Sequence, residues 1–134
     1  MDPDADLVVV FGGTNDYCCC APLGEKTDRT EGTFYGACYC LFEKLLRKFH
    51  GKTVVIVTPL HRLDEDGTIC EGRPMLAPLS DYVSVLKDVA AYFAASEKMQ
   101  KMLFGNNNIV TLTKEKEKMY LYNGASGQFM SAPY

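Results

Sequence analysis

The sequence predicts an α/β fold built on a parallel sheet, and three stretches predict it. Asp6-Leu7-Val8-Val9-Val10-Phe11 is a short apolar run, rich in β-branched residues, that stops at Gly12-Gly13. Thr53-Val54-Val55-Ile56-Val57-Thr58 repeats the pattern and stops at Pro59. Between them, Phe34, Ala37, Cys38, Leu41, Leu45 and Phe49 recur at spacings of three and four, the period of one helix face. Continuous apolar strands joined through a helix imply a right-handed parallel crossover whose strands are covered on both faces.

The remaining elements follow in order. Gly12-Gly13 allows a tight turn with outward backbone N–H groups, and Thr14-Asn15-Asp16 follows it directly. Residues 17–32 read as a loop. Thr33 is placed to cap the first helix; Lys44, Arg47 and Lys48 suit its negative end, and Gly51 stops it. Residues 60–79 form a long irregular stretch, of the kind that serves as a lid or binding wall. A second helix is expected over 80–96, with Leu79, Tyr82, Val83, Leu86, Val89, Ala90 and Phe93 inward and Asp81, Ser84, Lys87 and Asp88 toward water. Ile109–Thr113 and Met119–Tyr122 read as a hairpin, and 123–134 as a loose tail.

Composition narrows the function classes. The 134 residues suit one domain. Fourteen basic and seventeen acidic side chains give a net charge of -3 without a basic stripe, which speaks against nucleic acid as a partner. No apolar run is long enough to cross a membrane. Met1–Asp6 carries three aspartates and no basic residue, unlike a secretory leader, so the chain as written reads as cytoplasmic. In that compartment Cys18, Cys19, Cys20, Cys38, Cys40 and Cys70 are expected as free thiols. Three adjacent cysteines diverge, and Cys38 and Cys40 sit two apart on a helix. Neither arrangement makes a zinc-chelating pair, so no metal and no cofactor is expected.

Two blocks carry a family resemblance. The first is Asp6 through Gly12-Gly13-Thr14-Asn15-Asp16-Tyr17, followed by Ala21-Pro22-Leu23-Gly24 and Thr33-Phe34-Tyr35-Gly36-Ala37. The second runs from Gly51 through Thr58-Pro59-Leu60-His61-Arg62 to Gly67, followed by Leu79-Ser80-Asp81-Tyr82-Val83. Together they resemble the middle of an SGNH (GDSL-type) ester hydrolase over residues 5–93, with 94–134 divergent. The resemblance implies a flavodoxin-like three-layer sandwich of helices around a parallel sheet, here truncated, so that 1–134 is a single partial SGNH-like domain. It also implies roles. Asn15 matches the asparagine whose amide donates to the oxyanion of a tetrahedral intermediate, a donor worth about 3 kcal/mol in the transition state. Gly13 sets that loop's geometry and Asp16 supports it. His61 and Arg62, after Pro59 at the strand end, are expected on the pocket rim.

The departures from the family are as informative. The chain contains neither a Gly-Asp-Ser nor an Asp-x-x-His sequence, and its histidines are His50 and His61 alone. His50 reads as a surface residue. Ser126 lies outside a nucleophile elbow, Ser80 and Ser96 read as helix-end residues, and Cys18–Cys20 lack an identifiable base. Asp64-Glu65-Asp66-Gly67 lacks the alternating oxygen ligands of a calcium loop. The expected function is a domain related to carboxylic ester hydrolases but catalytically incomplete, whose ligand is an ester, such as a short acyl ester, or an acylated carbohydrate. The alternatives are a non-catalytic carbohydrate- or small-ligand-binding or assembly module, and a truncated product without activity. Absent the family's first strand, Leu7–Phe11 is expected to present an open edge. That edge implies a homodimer, poor solubility, or a sheet in which 109–122 covers it.

Overall fold

The computed structural model describes residues 1–63, 65, 69–70, 73–74, 77–95, 108–115, 118–123 and 128–132, and shows a mixed α/β fold. Its elements are β1 (Leu7–Phe11), α1 (Thr14–Cys18), α2 (Phe34–Lys48), β2 (Thr53–Val57), β3 (Ile69–Cys70), β4 (Arg73–Pro74), α3 (Leu79–Ala95), β5 (Asn108–Glu115), β6 (Lys118–Asn123) and β7 (Gln128–Ala132). One sheet has the order β1-β2-β5-β6-β7, and β3 and β4 form a separate two-stranded ladder. The first three strands are parallel, with Leu7 opposite Thr53 and Thr53 opposite Asn108. β6 and β7 then add antiparallel, Leu112 opposite Leu121 and Leu121 opposite Met130.

Local chemistry explains where α2 begins and ends. The Thr33 hydroxyl accepts from the Gly36 N–H at 3.2 Å, a cap worth about 1 kcal/mol. The same hydroxyl donates to Asp28 Oδ2 at 2.8 Å, and that carboxylate also accepts from the Glu25 N–H at 3.0 Å. These bonds hold the Asp28 carboxyl below its ordinary range, the Glu25 backbone N–H contributing most. Gly36 is required by space, since a Cβ there would run into the Thr30 carbonyl. Arg47 and Lys48 lie in the last turn, where the helix dipole favours cations. Gly51, at φ +77°, turns the chain into β2.

The core lies between the sheet and two helices on the same face. Val8, Val54 and Ile56 turn inward from the strands, meeting Phe42 and Leu46 of α2 and Leu86, Val89 and Phe93 of α3. Tyr17 and Tyr82 are fully buried, their rings edge-on at 5.7 Å between centroids. The Tyr82 hydroxyl donates to the Ala21 carbonyl, so its polar tip is satisfied inside the core. Both helices occupy one face because the parallel strands progress in one lateral direction. Right-handed crossovers along such a path fall on the same side.

This arrangement corrects several expectations. β1 is not covered on both faces: Leu7, Val9 and Phe11 are 56, 57 and 61% exposed on the side away from the helices. Residues 109–122 do not close the β1 edge, because β5 pairs with β2 on its far side. After α3 the chain re-enters the sheet as β5, parallel to β2. The tail forms β7 over Gln128–Ala132 rather than staying loose, since β6 offers it a ladder. The 109–122 hairpin itself is present. In α2, Leu41 is exposed and Ala37 only half-buried, while Tyr39, Phe42 and Leu46 fill the buried stripe. In α3, Val85 is buried in place of Val83, and Lys87 and Asp88 are half-buried. Most of the acidic turn at 64–67, together with Ser96 and Ser126, lies outside the described residues. No described helix is long and apolar enough to cross a membrane.

Candidate functional site

The candidate site begins where β1 ends. Gly13 adopts φ +105°, a conformation that L side chains rarely take, and serves as the N-cap of α1. A Cβ at Gly13 would also sit 3.2 Å from Pro59, 3.4 Å from Leu86 and 3.5 Å from Phe34. Glycine is therefore set here by both dihedral and space. The turn winds at once into one short helix: Tyr17 N–H donates to the Gly13 carbonyl at 3.1 Å, Cys19 N–H to Asn15 at 2.8 Å and Ala21 N–H to Asp16 at 2.9 Å. Tyr17 anchors that turn in the core and thereby orients Asn15 on its outer side.

Asn15 is exposed, and among the described residues no side-chain hydrogen bond engages its carboxamide. It borders a surface cleft lined by Phe11, Gly12, Gly13, Thr14, Asn15 and Asp16. Gly12, Gly13 and Asp16 also border a neighbouring apolar cavity between β1 and α2. Asp16 is half-buried, and its carboxylate adds to the effect of burial in pushing the Cys38 thiol up to about 12. Gly13, Asn15 and Asp16 thus form one unit: a left-handed glycine, an outward amide and an acidic wall.

The loop after β2 lies at the same end of the parallel pair, because Phe11 is in register with Val57. Arg62 reaches back to α1, where its guanidinium donates to the Cys18 sulfur and lies 5.5 Å from the Tyr17 ring centroid. His61 Nδ1 is 2.9 Å from both oxygens of Glu65. Glu65 is itself fixed, accepting from the Arg62 N–H at 2.7 Å through its side chain and from the Leu79 N–H at 2.9 Å through its carbonyl. Among the described residues, neither His61 nor Arg62 lines the Asn15 cleft or the adjacent cavity. His50 is exposed.

Sequence reasoning missed Glu65 as the partner of His61, although the i, i+4 spacing was available to suggest it. It had no signal for the contact of Arg62 with Cys18, which depends on the two loops meeting in space. Among the described residues, Cys18, Cys19, Cys20, Cys38 and Cys40 form no disulfide with one another. Among the described residues no three His, Cys, Asp or Glu side chains converge as metal ligands. Chemically, the unit can donate a hydrogen bond to an anionic or carbonyl oxygen placed against Asn15.

No protein-family model matches the chain, and no curated protein matches it. Its fold is similar to that of solved structures. A crystal structure of a protein from Lactobacillus plantarum, a Northeast Structural Genomics consortium target, has a TM-score of 0.60 and 31% identity, over 69% of this chain and 45% of that one. A second crystal structure has a TM-score of 0.57 and 22% identity, over 77% of this chain and 55% of that one. The chain therefore spans about half the length of these two structures.

Proposed function

We propose that this chain is an SGNH-hydrolase-like domain, related to carboxylic ester hydrolases, that supplies the oxyanion-binding loop and is catalytically incomplete by itself. The carrying observation is the exposed carboxamide of Asn15, unengaged by any described side-chain hydrogen bond, on a one-turn helix that Gly13 starts at the end of a parallel strand. A donor so placed lowers the energy of an oxygen that gains charge when a carbonyl is attacked, by about 3 kcal/mol. It neither attacks nor removes a proton. The chain has no Gly-Asp-Ser to supply the first role and no Asp-x-x-His to supply the second.

In this reading the helices on one face of the sheet are one layer of the family's three-layer sandwich. The apolar face bearing Leu7, Val9 and Phe11 is the side a further helical layer would cover. The ligand is an ester or acylated carbohydrate, nucleic acid is not a partner, and the protein is cytoplasmic. The open β1 edge makes a homodimer its expected association.

The test is hydrolysis of p-nitrophenyl acetate by the chain and by Asn15→Ala. Turnover indistinguishable from buffer in both is expected. Robust turnover that disappears in Asn15→Ala would show a complete site and overturn the incompleteness. Saturable glycan binding without hydrolysis would favour a binding module instead.

A further inference from the structure

α1 is a single turn of five residues, too short to be stable by its own hydrogen bonds. Its N-cap, Gly13, makes no side-chain capping bond, and its last turn carries no basic residue. The Asn15 carboxamide therefore keeps one orientation only if other elements hold the turn. Tyr17 is the first anchor, its ring buried against Tyr82. A single anchor sets how deep a turn sits and leaves its rotation loosely defined.

Arg62 brings a second anchor from the loop after β2. Its guanidinium donates to the Cys18 sulfur, at the last residue of α1, and lies 5.5 Å from the Tyr17 ring centroid, within cation–π range. It is the cation that the turn lacks near its carbonyl end. Cys18 and Asn15 stand three residues apart, on one face of a helical turn. The Cys19 N–H donates to the Asn15 carbonyl at 2.8 Å, so rotation at Cys18 is also rotation at Asn15. Arg62 is held in turn by Glu65. The Glu65 carboxylate accepts from the Arg62 N–H at 2.7 Å, and the Glu65 carbonyl accepts from the N–H of Leu79, where α3 begins.

We propose that Arg62 is a positioning residue for the Asn15 turn and that Glu65 acts through it. Arg62 works from behind the turn, since it is not among the described residues that line the cleft. A donor held in advance needs no reorganisation when charge develops on an oxygen. That benefit rests on the oxyanion-donor reading of Asn15, whereas the buttress itself does not.

The test is residue-resolved amide hydrogen exchange on the full chain, with the heteronuclear NOE of the Asn15 side-chain amide. Arg62→Met is expected to speed exchange at Cys19, Cys20 and Ala21 by about tenfold and to lower the Asn15 NOE, with α2 and α3 unmoved. Cys18→Ala is expected to do the same, and it gives the reading where Arg62→Met does not fold. Cys18→Ser restores an oxygen acceptor and is expected to stay within about threefold of the parent. Glu65→Ala is expected to match Arg62→Met, and the two together to add nothing further. Arg47→Met, which removes an exposed pair with Glu43 on α2, is expected to leave the turn as it is.

An unmoved turn in Arg62→Met and Cys18→Ala overturns the positioning role. Equal acceleration across α2 overturns it too, because Arg62 would then be a general stabiliser. Cys18→Ser as loose as Cys18→Ala overturns the hydrogen bond as the means, and additive effects of Arg62→Met and Glu65→Ala overturn the route through Glu65. The readout needs neither ligand nor turnover, so its failure is distinct from failure of the p-nitrophenyl acetate test.

Discussion

The Tyr35 hydroxyl donates to Asp88 Oδ2 at 2.7 Å, joining the first turn of α2 to the middle of α3 across 53 residues of sequence. Lys26 Nζ approaches the same carboxylate oxygen at 3.4 Å. Burial first, and the neighbouring Asp88 carboxylate second, raise the Tyr35 phenol well above its ordinary value of 10.0. A raised value means that the folded state favours the protonated phenol. Its contribution is therefore whole below pH 10 and is lost as pH climbs through the folded value. Tyr35→Phe is expected to lower stability by about 1 kcal/mol at neutral pH in urea denaturation, a modest figure because Asp88 is partly exposed. In an alkaline ultraviolet titration, Tyr35 is expected to ionise after the exposed tyrosines, and the variant to lose that late step.

Two glycines should respond oppositely to the same methyl group. At Gly36 a Cβ meets the backbone carbonyl of Thr30, which cannot rotate away as a side chain would. At Gly12 nothing lies within 4 Å of a built Cβ, and the backbone is not left-handed. Gly36→Ala is expected to cost about 1–3 kcal/mol and to loosen the Thr33 cap. Gly12→Ala is expected to stay within about 0.5 kcal/mol of the parent. Thermal unfolding of both proteins decides the matter; equal melting temperatures would refute the Thr30 contact.

Thiol reactivity should separate the cysteines by burial. Cys38 is buried, and its thiol is pushed up to about 12, so little thiolate is present in the native state. Cys19 is exposed. Brief alkylation of the native protein, mapped by mass spectrometry, is expected to label Cys19 early and Cys38 only after unfolding. Early labelling of Cys38 would mean that α2 does not pack on β1 as described.

The open side of β1 should govern solution behaviour. Its apolar row and unmatched ladder favour association, and a lysine on an edge strand opposes it. Val9→Lys is expected to shift sedimentation toward monomer without loss of helix signal in circular dichroism. An unchanged distribution would assign any association to another surface.

Legibility in the sequence followed the range of the forces involved. The β1 and β2 runs, the Thr33 cap and the bounds of α2 and α3 were readable because their signals lie within a few residues. Tyr39 was overlooked in the α2 stripe because its polar tip disguises a ring that packs on Phe93 and lies 3.7 Å from the Arg29 guanidinium carbon. Gln128–Ala132 carries little strand propensity and is a strand through the ladder β6 provides. The Gly13-Thr14-Asn15-Asp16 turn was legible as a candidate loop. That Arg62 turns toward Cys18, while His61 turns toward Glu65, was not, because it depends on how two separate loops settle against each other.

The one-way march of β1, β2 and β5 has a consequence for how this sheet can grow. A step outward from a parallel strand beside β1 to a second one beyond it would reverse the direction of travel. Its right-handed connection would then pass over the opposite side, carrying a helix onto Leu7, Val9 and Phe11. Extension of the hydrogen-bonded ladder and shielding of those three side chains would then come as a single topological event, with the turn around Asn15 left at the point where the winding changes sense.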